Sequence, residues 1–224
     1  MSLNIKNFNN IEDIVDSISH SINTKLLEGK RVLWFLSGGS SIKIETKIAE
    51  RINKEHEGDL VITLTDERYG EVNHPDSNWF QLLESGFDVP KAKSIPFLIG
   101  KSFKDTTIEL REKIKIELDK ADYKIGIFGM GIDGHTAGIL PHTEAVNSNE
   151  LICAYDTHQY DRITITGKVI SCLDEAVLFA VGDMKWPMIE KLEKEISIDE
   201  QPAQILKSVP LLTIFTDYRA DESR

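Results

Sequence analysis

Apolar residues along the chain follow two spacings, and each predicts a different element. Ile11, Ile14, Val15, Ile18, Ile22 and Leu26 recur three or four apart, which predicts a helix after Asn9 and Asn10, with Asn10 as its N-cap and Gly29 as its stop. Val32-Leu33-Trp34-Phe35-Leu36 and Leu60-Val61-Ile62-Thr63-Leu64 are nearly continuous apolar runs, as expected of strands buried on both faces. Further strands are predicted at Tyr123–Phe128, Ile163–Ile165, Ala176–Val181 and Leu211–Phe215. Helices are expected from Ser41 to about His56, from Asp105 to Leu118, and from Asp183 to about Ile196. Buried strands alternating with amphipathic helices predict an α/β fold with a mostly parallel sheet covered on both faces. No repeat or flexible linker interrupts the pattern, so residues 1–224 read as one domain. Ligands of such sheets bind beyond the carboxyl ends of the strands, so the segments that directly follow strands should carry the chemistry.

Composition narrows the function classes. A net charge of −11 would repel a nucleic-acid backbone, yet a few local donors can still hold one small anion. Cys153 and Cys172 form no C-x-x-C pair and read as small buried hydrophobes. The start Met1-Ser2-Leu3-Asn4-Ile5-Lys6 lacks a signal-peptide pattern, and no apolar run approaches the ~20 residues of a membrane helix, so the cytoplasm is the expected compartment.

Three post-strand segments stand out. In Leu36-Ser37-Gly38-Gly39-Ser40-Ser41, two glycines allow close backbone approach and the following helix offers unpaired N–H groups, an arrangement suited to phosphate oxygens. A tight turn capped by Ser40 or Ser41 would account for the same residues equally well. Thr65-Asp66-Glu67-Arg68-Tyr69 places three charges at a strand end, where burial requires pairing or a ligand. Arg68 can offer a planar fork to phosphate, with Asp66 and Glu67 orienting it, although a solvated salt-bridged turn is the alternative. Asp76-Ser77-Asn78 then reads as the start of a helix that folds back over the same edge.

Gly129-Met130-Gly131-Ile132-Asp133-Gly134-His135-Thr136-Ala137 is the third segment. It spells G-x-G-x-x-G after a strand, but Pro141 follows too soon for a long crossover helix, which argues against a dinucleotide loop. The better reading is a glycine-built turn presenting Asp133 and His135, since imidazole suits proton transfer near neutrality. Arg162 and Lys185, each beside a predicted strand, could complete a phosphate site. Zinc finds a poor ligand set, because His20, His56, His74, His142 and His158 are scattered and no H-E-x-x-H occurs. There is no G-x-S-x-G elbow for a serine nucleophile.

Taken together, Ser-Gly-Gly-Ser, Asp-Glu-Arg with its following Ser-Asn, and Gly-Met-Gly-Ile-Asp-Gly-His-Thr-Ala resemble the 6-phosphogluconolactonases, in the superfamily that also holds the glucosamine-6-phosphate deaminases. The order matches from about Leu33 to Leu212, with Arg162-Ile163-Thr164 and Gly182-x-x-Lys185 in place. The resemblance implies a three-layer α/β/α fold with a Rossmann-like sheet, of the kind shared with ribose-phosphate isomerases and CoA transferases. It also implies hydrolysis of 6-phospho-D-glucono-1,5-lactone to 6-phosphogluconate in the oxidative pentose phosphate pathway, without metal or cofactor. By that resemblance His135 is the catalytic base and Asp133 supports it. Ser37, Gly38, Gly39, Ser40, Asp66, Glu67, Arg68, Gly131, Arg162 and Lys185 would contact the phosphorylated sugar lactone or its phosphate. No nucleic-acid or membrane partner is implied, and monomer and homodimer both stay open. Many relatives continue the first loop with Thr-Pro where this chain has Ser41-Ile42, which weakens any assignment to Ser41 and leaves the glycines intact. The deaminases resemble Asp-Glu-Tyr at the second motif and Asn-Glu-Pro after the third, whereas this chain has Arg68 and Gly138-Ile139-Leu140-Pro141. Both differences favour the lactonase over the deaminase, and His135 with no DNA-binding segment favours it over a non-catalytic sugar-phosphate sensor.

Overall fold

Ten strands and six α-helices follow one another in a computed structural model that describes residues 3–8, 10–157 and 160–219. Asn9 and His158 lie outside the described residues. The first half runs β1 (Asn4–Asn7), α1 (Ile11–Leu27), β2 (Val32–Leu36), α2 (Ile42–Glu50), β3 (Leu60–Leu64), β4 (Asp66–Arg68), α3 (Asn78–Glu84), β5 (Lys93–Ile95) and α4 (Phe103–Lys120). The second half runs β6 (Tyr123–Gly129), β7 (Ile152–Asp156), β8 (Asp161–Ile165), α5 (Gly167–Ile170), β9 (Glu175–Ala180), α6 (Trp186–Leu192) and β10 (Leu211–Thr216).

Seven strands form one parallel sheet in the order β1-β10-β9-β6-β2-β3-β5. Every residue of β2, β3 and β9 is buried, so both faces of the sheet are covered and the architecture is three-layer α/β/α. Trp34, Phe35 and Phe128 are among the largest fully buried side chains, each contributing roughly 1.5–3 kcal/mol of burial. On α1, Ile14, Val15, Ile18, Ile22 and Leu26 face this core, the Asn10 side chain accepts from the Glu12 N–H, and Gly29 leaves the helix at φ +72°.

The structure departs from the sequence reading in several places. Asp66–Arg68 is a short strand, not the solvated turn considered as the alternative, and Ile163–Ile165 lies outside the parallel sheet. Together they build a second, antiparallel sheet, β4-β8-β7, in which Asp66 pairs with Thr164 and Arg68 with Arg162. A local apolar run does not reveal which sheet will accept it. The strands β1 and β5 carry too few apolar residues to announce themselves, and β7, although mostly apolar, is absent from the sequence reading. The helix expected to reach His56 ends at Glu50, and the one expected over 183–196 is a 3-10 turn, Asp183–Lys185, followed by α6. Cys153 is buried as expected, but Cys172 is exposed.

Candidate active site

Chain order places the site. From β2 the sheet grows through β3 to β5 on one side, then restarts at β6 and grows through β9 to β10 on the other. The crevice between the carboxyl ends of β2 and β6 is therefore the topological switch point, where neighbouring loops part and leave room for a ligand. A cavity of about 320 Å³ opens there, lined by Ser37 to Ser40 after β2, Asp66 and Arg68 of β4, Gly131 and His135 after β6, Arg162 of β8 and Lys185 after β9.

The segment after β6 folds as a turn rather than a crossover helix, as the position of Pro141 predicted. The Gly131 N–H donates to the His135 carbonyl at 3.0 Å, and Gly134 turns the chain at φ +84°. His135 Nδ1 lies 2.6 Å from Asp133 Oδ1, which also accepts from the His135 backbone N–H at 3.1 Å. With Nδ1 engaged, Nε2 is the ring nitrogen left for a substrate, and the carboxylate selects the tautomer that leaves it as a proton acceptor. Burial opposes ionisation of Asp133, but the His135 hydrogen bond and charge outweigh it and hold the carboxyl below its ordinary pKa. Gly131 has to be glycine, because a Cβ there would lie 2.2 Å from His135 Nδ1 and 2.5 Å from Asp133 Oδ1.

Three cations border the same cavity. Arg162 Nη1 donates to Asp66 Oδ2 at 3.1 Å, an ion pair that is 14% and 7% exposed and so holds the guanidinium in one orientation. Arg68 Nη1 donates to the Asp76 carbonyl at 2.8 Å, and the guanidinium carbon lies 5.8 Å from the Tyr160 ring centroid. Lys185 is half-buried, and burial pushes its ammonium below the ordinary lysine range, with Asp217 partly opposing. Such an ammonium gains from an anionic ligand.

Glu67 requires a correction. It is fully buried and absent from the cavity wall. Its carboxylate accepts from the N–H groups of Arg68, Asn78 and Trp79 and from the Ser77 hydroxyl, at 2.7–3.0 Å. Glu67 thus fastens the start of α3 to β4, as an anion at a helix N-terminus should. The fastening delivers Asn78, a cavity residue that sequence reasoning took only as the start of a helix. The Asn78 amide donates to the Asp66 carbonyl at 2.9 Å, and a Cβ on Gly38 would sit 2.1 Å from Asn78 Oδ1, so that glycine is needed for the contact. Neither Ser40 nor Ser41 provides a side-chain cap, which removes the simple helix-cap account of the first loop.

A larger hollow of about 700 Å³ lies near the amino-terminal end of β6. Its Arg111, Lys115 and Lys168 already donate to the Ile152 carbonyl, Asp119 and the Asn149 carbonyl, so size alone does not make it a site. Among the described residues, no group of three or more His, Cys, Asp or Glu side chains is placed to hold a metal ion. None of the described helices is long and apolar enough to cross a membrane.

A His–Asp pair and three cations gather at the switch point of a parallel sheet, the place where α/β/α proteins as a class receive their ligands. The family described as glucosamine-6-phosphate isomerases/6-phosphogluconolactonase matches residues 8–213, and the chain belongs to that family. A 6-phosphogluconolactonase of Helicobacter pylori is 30% identical over 226 residues, covering 95% of this chain and 97% of the relative. The crystal structure of a 6-phosphogluconolactonase from Shewanella baltica superposes with a TM-score of 0.82 at 21% identity, covering 96% and 97% of the two chains. One from Thermotoga maritima gives 0.78 at 18% identity, covering 96% and 98%. At these identities the two solved structures show the shared fold.

Proposed function

We propose that the protein is a 6-phosphogluconolactonase of the oxidative pentose phosphate pathway, hydrolysing 6-phospho-D-glucono-1,5-lactone without a metal. The observation that carries the reading is His135 on the wall of a cavity bordered by Arg68, Arg162 and Lys185, with Asp133 behind it at 2.6 Å from Nδ1. The cations and the loop 37–40 would hold the phosphate, so that its binding energy positions the lactone ring. His135 Nε2 would take a proton from water as the water oxygen attacks the lactone carbonyl. Collapse of the tetrahedral oxyanion breaks the bond to the ring oxygen, which the imidazolium protonates, and the product acid ionises. Asp133 steadies the imidazolium between the two transfers. The names of the relatives support this substrate, and Arg68 and Leu140 support it over a deaminase.

The purified protein should accelerate 6-phosphogluconolactone hydrolysis in EDTA and release no ammonia from glucosamine 6-phosphate. His135→Ala should lose ~10²–10⁴-fold in kcat and keep its affinity for inorganic phosphate. Ammonia release, or full lactonase activity in His135→Ala, contradicts the reading.

A further inference from the structure

Of the buried acids that the mechanism leaves unused, one touches the loop after β2. Glu45 lies on α2, fully buried, directly behind the loop that follows β2. Its Oε1 accepts from the Ser37 N–H at 2.6 Å, and its Oε2 is buried with no hydrogen-bond partner. The carbonyl of the same peptide unit, on Leu36, accepts from the Thr65 N–H at 2.7 Å. The Leu36–Ser37 peptide is therefore held from both sides, by the end of β3 and by Glu45. Beyond it the Gly38 N–H has no partner among the described residues, and the 3-10 turn Gly39–Ser41 leaves its first N–H groups without intrahelical acceptors.

We propose that Glu45 is a positioning residue for anion binding: by fixing the Leu36–Ser37 peptide from behind, its carboxyl aims the unpaired N–H groups of the loop into the cavity. Its identification of the anion as a substrate phosphate rests on the function proposed above. Turning the Ser37 N–H toward the cavity instead would rotate the peptide and break the Thr65 bond. Burial raises the Glu45 carboxyl well above its ordinary pKa, with only the Ser37 N–H opposing. Glutamine matches the shape of the glutamate side chain and methionine matches its length. Glu45→Gln retains a carbonyl acceptor for the Ser37 N–H, whereas Glu45→Met keeps the length and removes the acceptor.

Calorimetric titration of inorganic phosphate into the three proteins tests this. Glu45→Met should bind phosphate about tenfold more weakly, and Glu45→Gln within about twofold of wild type, the difference being one buried hydrogen bond. In the lactone assay the Met variant should show a raised KM with kcat at saturation little changed, a split that general loss of stability would not produce. Should the Met variant fail to fold, amide exchange replaces it: the Ser37 amide of wild type and Glu45→Gln should be protected like the core of β2. Unchanged phosphate affinity in Glu45→Met, equal weakening in Glu45→Gln, no phosphate binding by wild type, or fast Ser37 exchange in the folded wild type each overturns the proposal. Phosphate binding that follows Glu45 in a protein without lactonase activity would uphold it and reject only the proposed reaction.

Discussion

Replacing Asp133 by Asn tests the division of labour in the His–Asp pair. The substitution keeps the shape and removes the charge that faces His135 Nδ1 at 2.6 Å. A hydrogen bond to a charged group is worth ~1.5–3 kcal/mol. The side chains of His135 and Asp133 are 34% and 46% exposed, so solvent screening puts the pair at the lower end. In the proposed mechanism the imidazolium forms during the reaction, so a loss of ~1.5 kcal/mol falls on the transition state and lowers kcat about tenfold. An Asn that presents its NH₂ to Nδ1 would also reverse the tautomer, moving the loss toward that of His135→Ala. Steady-state lactone hydrolysis with KM measured alongside is the assay, and KM should hold within about twofold, since Asp133 is not on the cavity wall. The double variant Asp133→Asn/His135→Ala should be no slower than His135→Ala alone, because Asp133 acts only through the ring. Wild-type kcat in Asp133→Asn, or a double variant whose losses multiply, would refute this reasoning.

Further outcomes follow from single contacts. Gly131→Ala drives a methyl group into the His–Asp pair at 2.2 Å, and a displacement of about 1 Å should cost ~10²-fold in kcat while the melting temperature barely moves. Phosphate affinity should fall with rising pH as Lys185 loses its proton, at a pH below that of an ordinary lysine because burial lowers its pKa; Lys185→Arg, which stays protonated, should remove that fall. A wild-type affinity that stays flat until ordinary lysines titrate would take Lys185 out of the phosphate site. Glu67→Ala strands four donors and should destabilise the protein by about 3 kcal/mol, lowering the melting temperature by about 6–12 °C, as read by calorimetry.

Much was legible without coordinates because it depends on local order. Burial on both faces forces near-continuous apolar runs, so β2, β3, β6, β9 and β10 are plain in the residue pattern. The turn after β6 is written in its glycines, and Asp133 and His135 are close enough in sequence for that turn alone to bring them together. Arg162 and Lys185 could be singled out as basic residues at strand boundaries, though not their distance from His135.

Direction of pairing and direction of side chains needed the folded chain. Asp66 and Glu67 are neighbours with like charge, yet one binds Arg162 at the cavity and the other caps α3 from the interior. In a strand successive side chains point to opposite faces, and only the antiparallel partner β8 determines which face meets the site. Glu45 shares helical spacing with Ile48, Ala49 and Ile52, so its buried face could be read, but its charge argued for solvent. What reverses that argument is the Ser37 N–H, a donor supplied eight residues earlier by the end of a strand. Periodicity records how much of a side chain is covered; which polar group waits beneath the cover is a fact of tertiary packing.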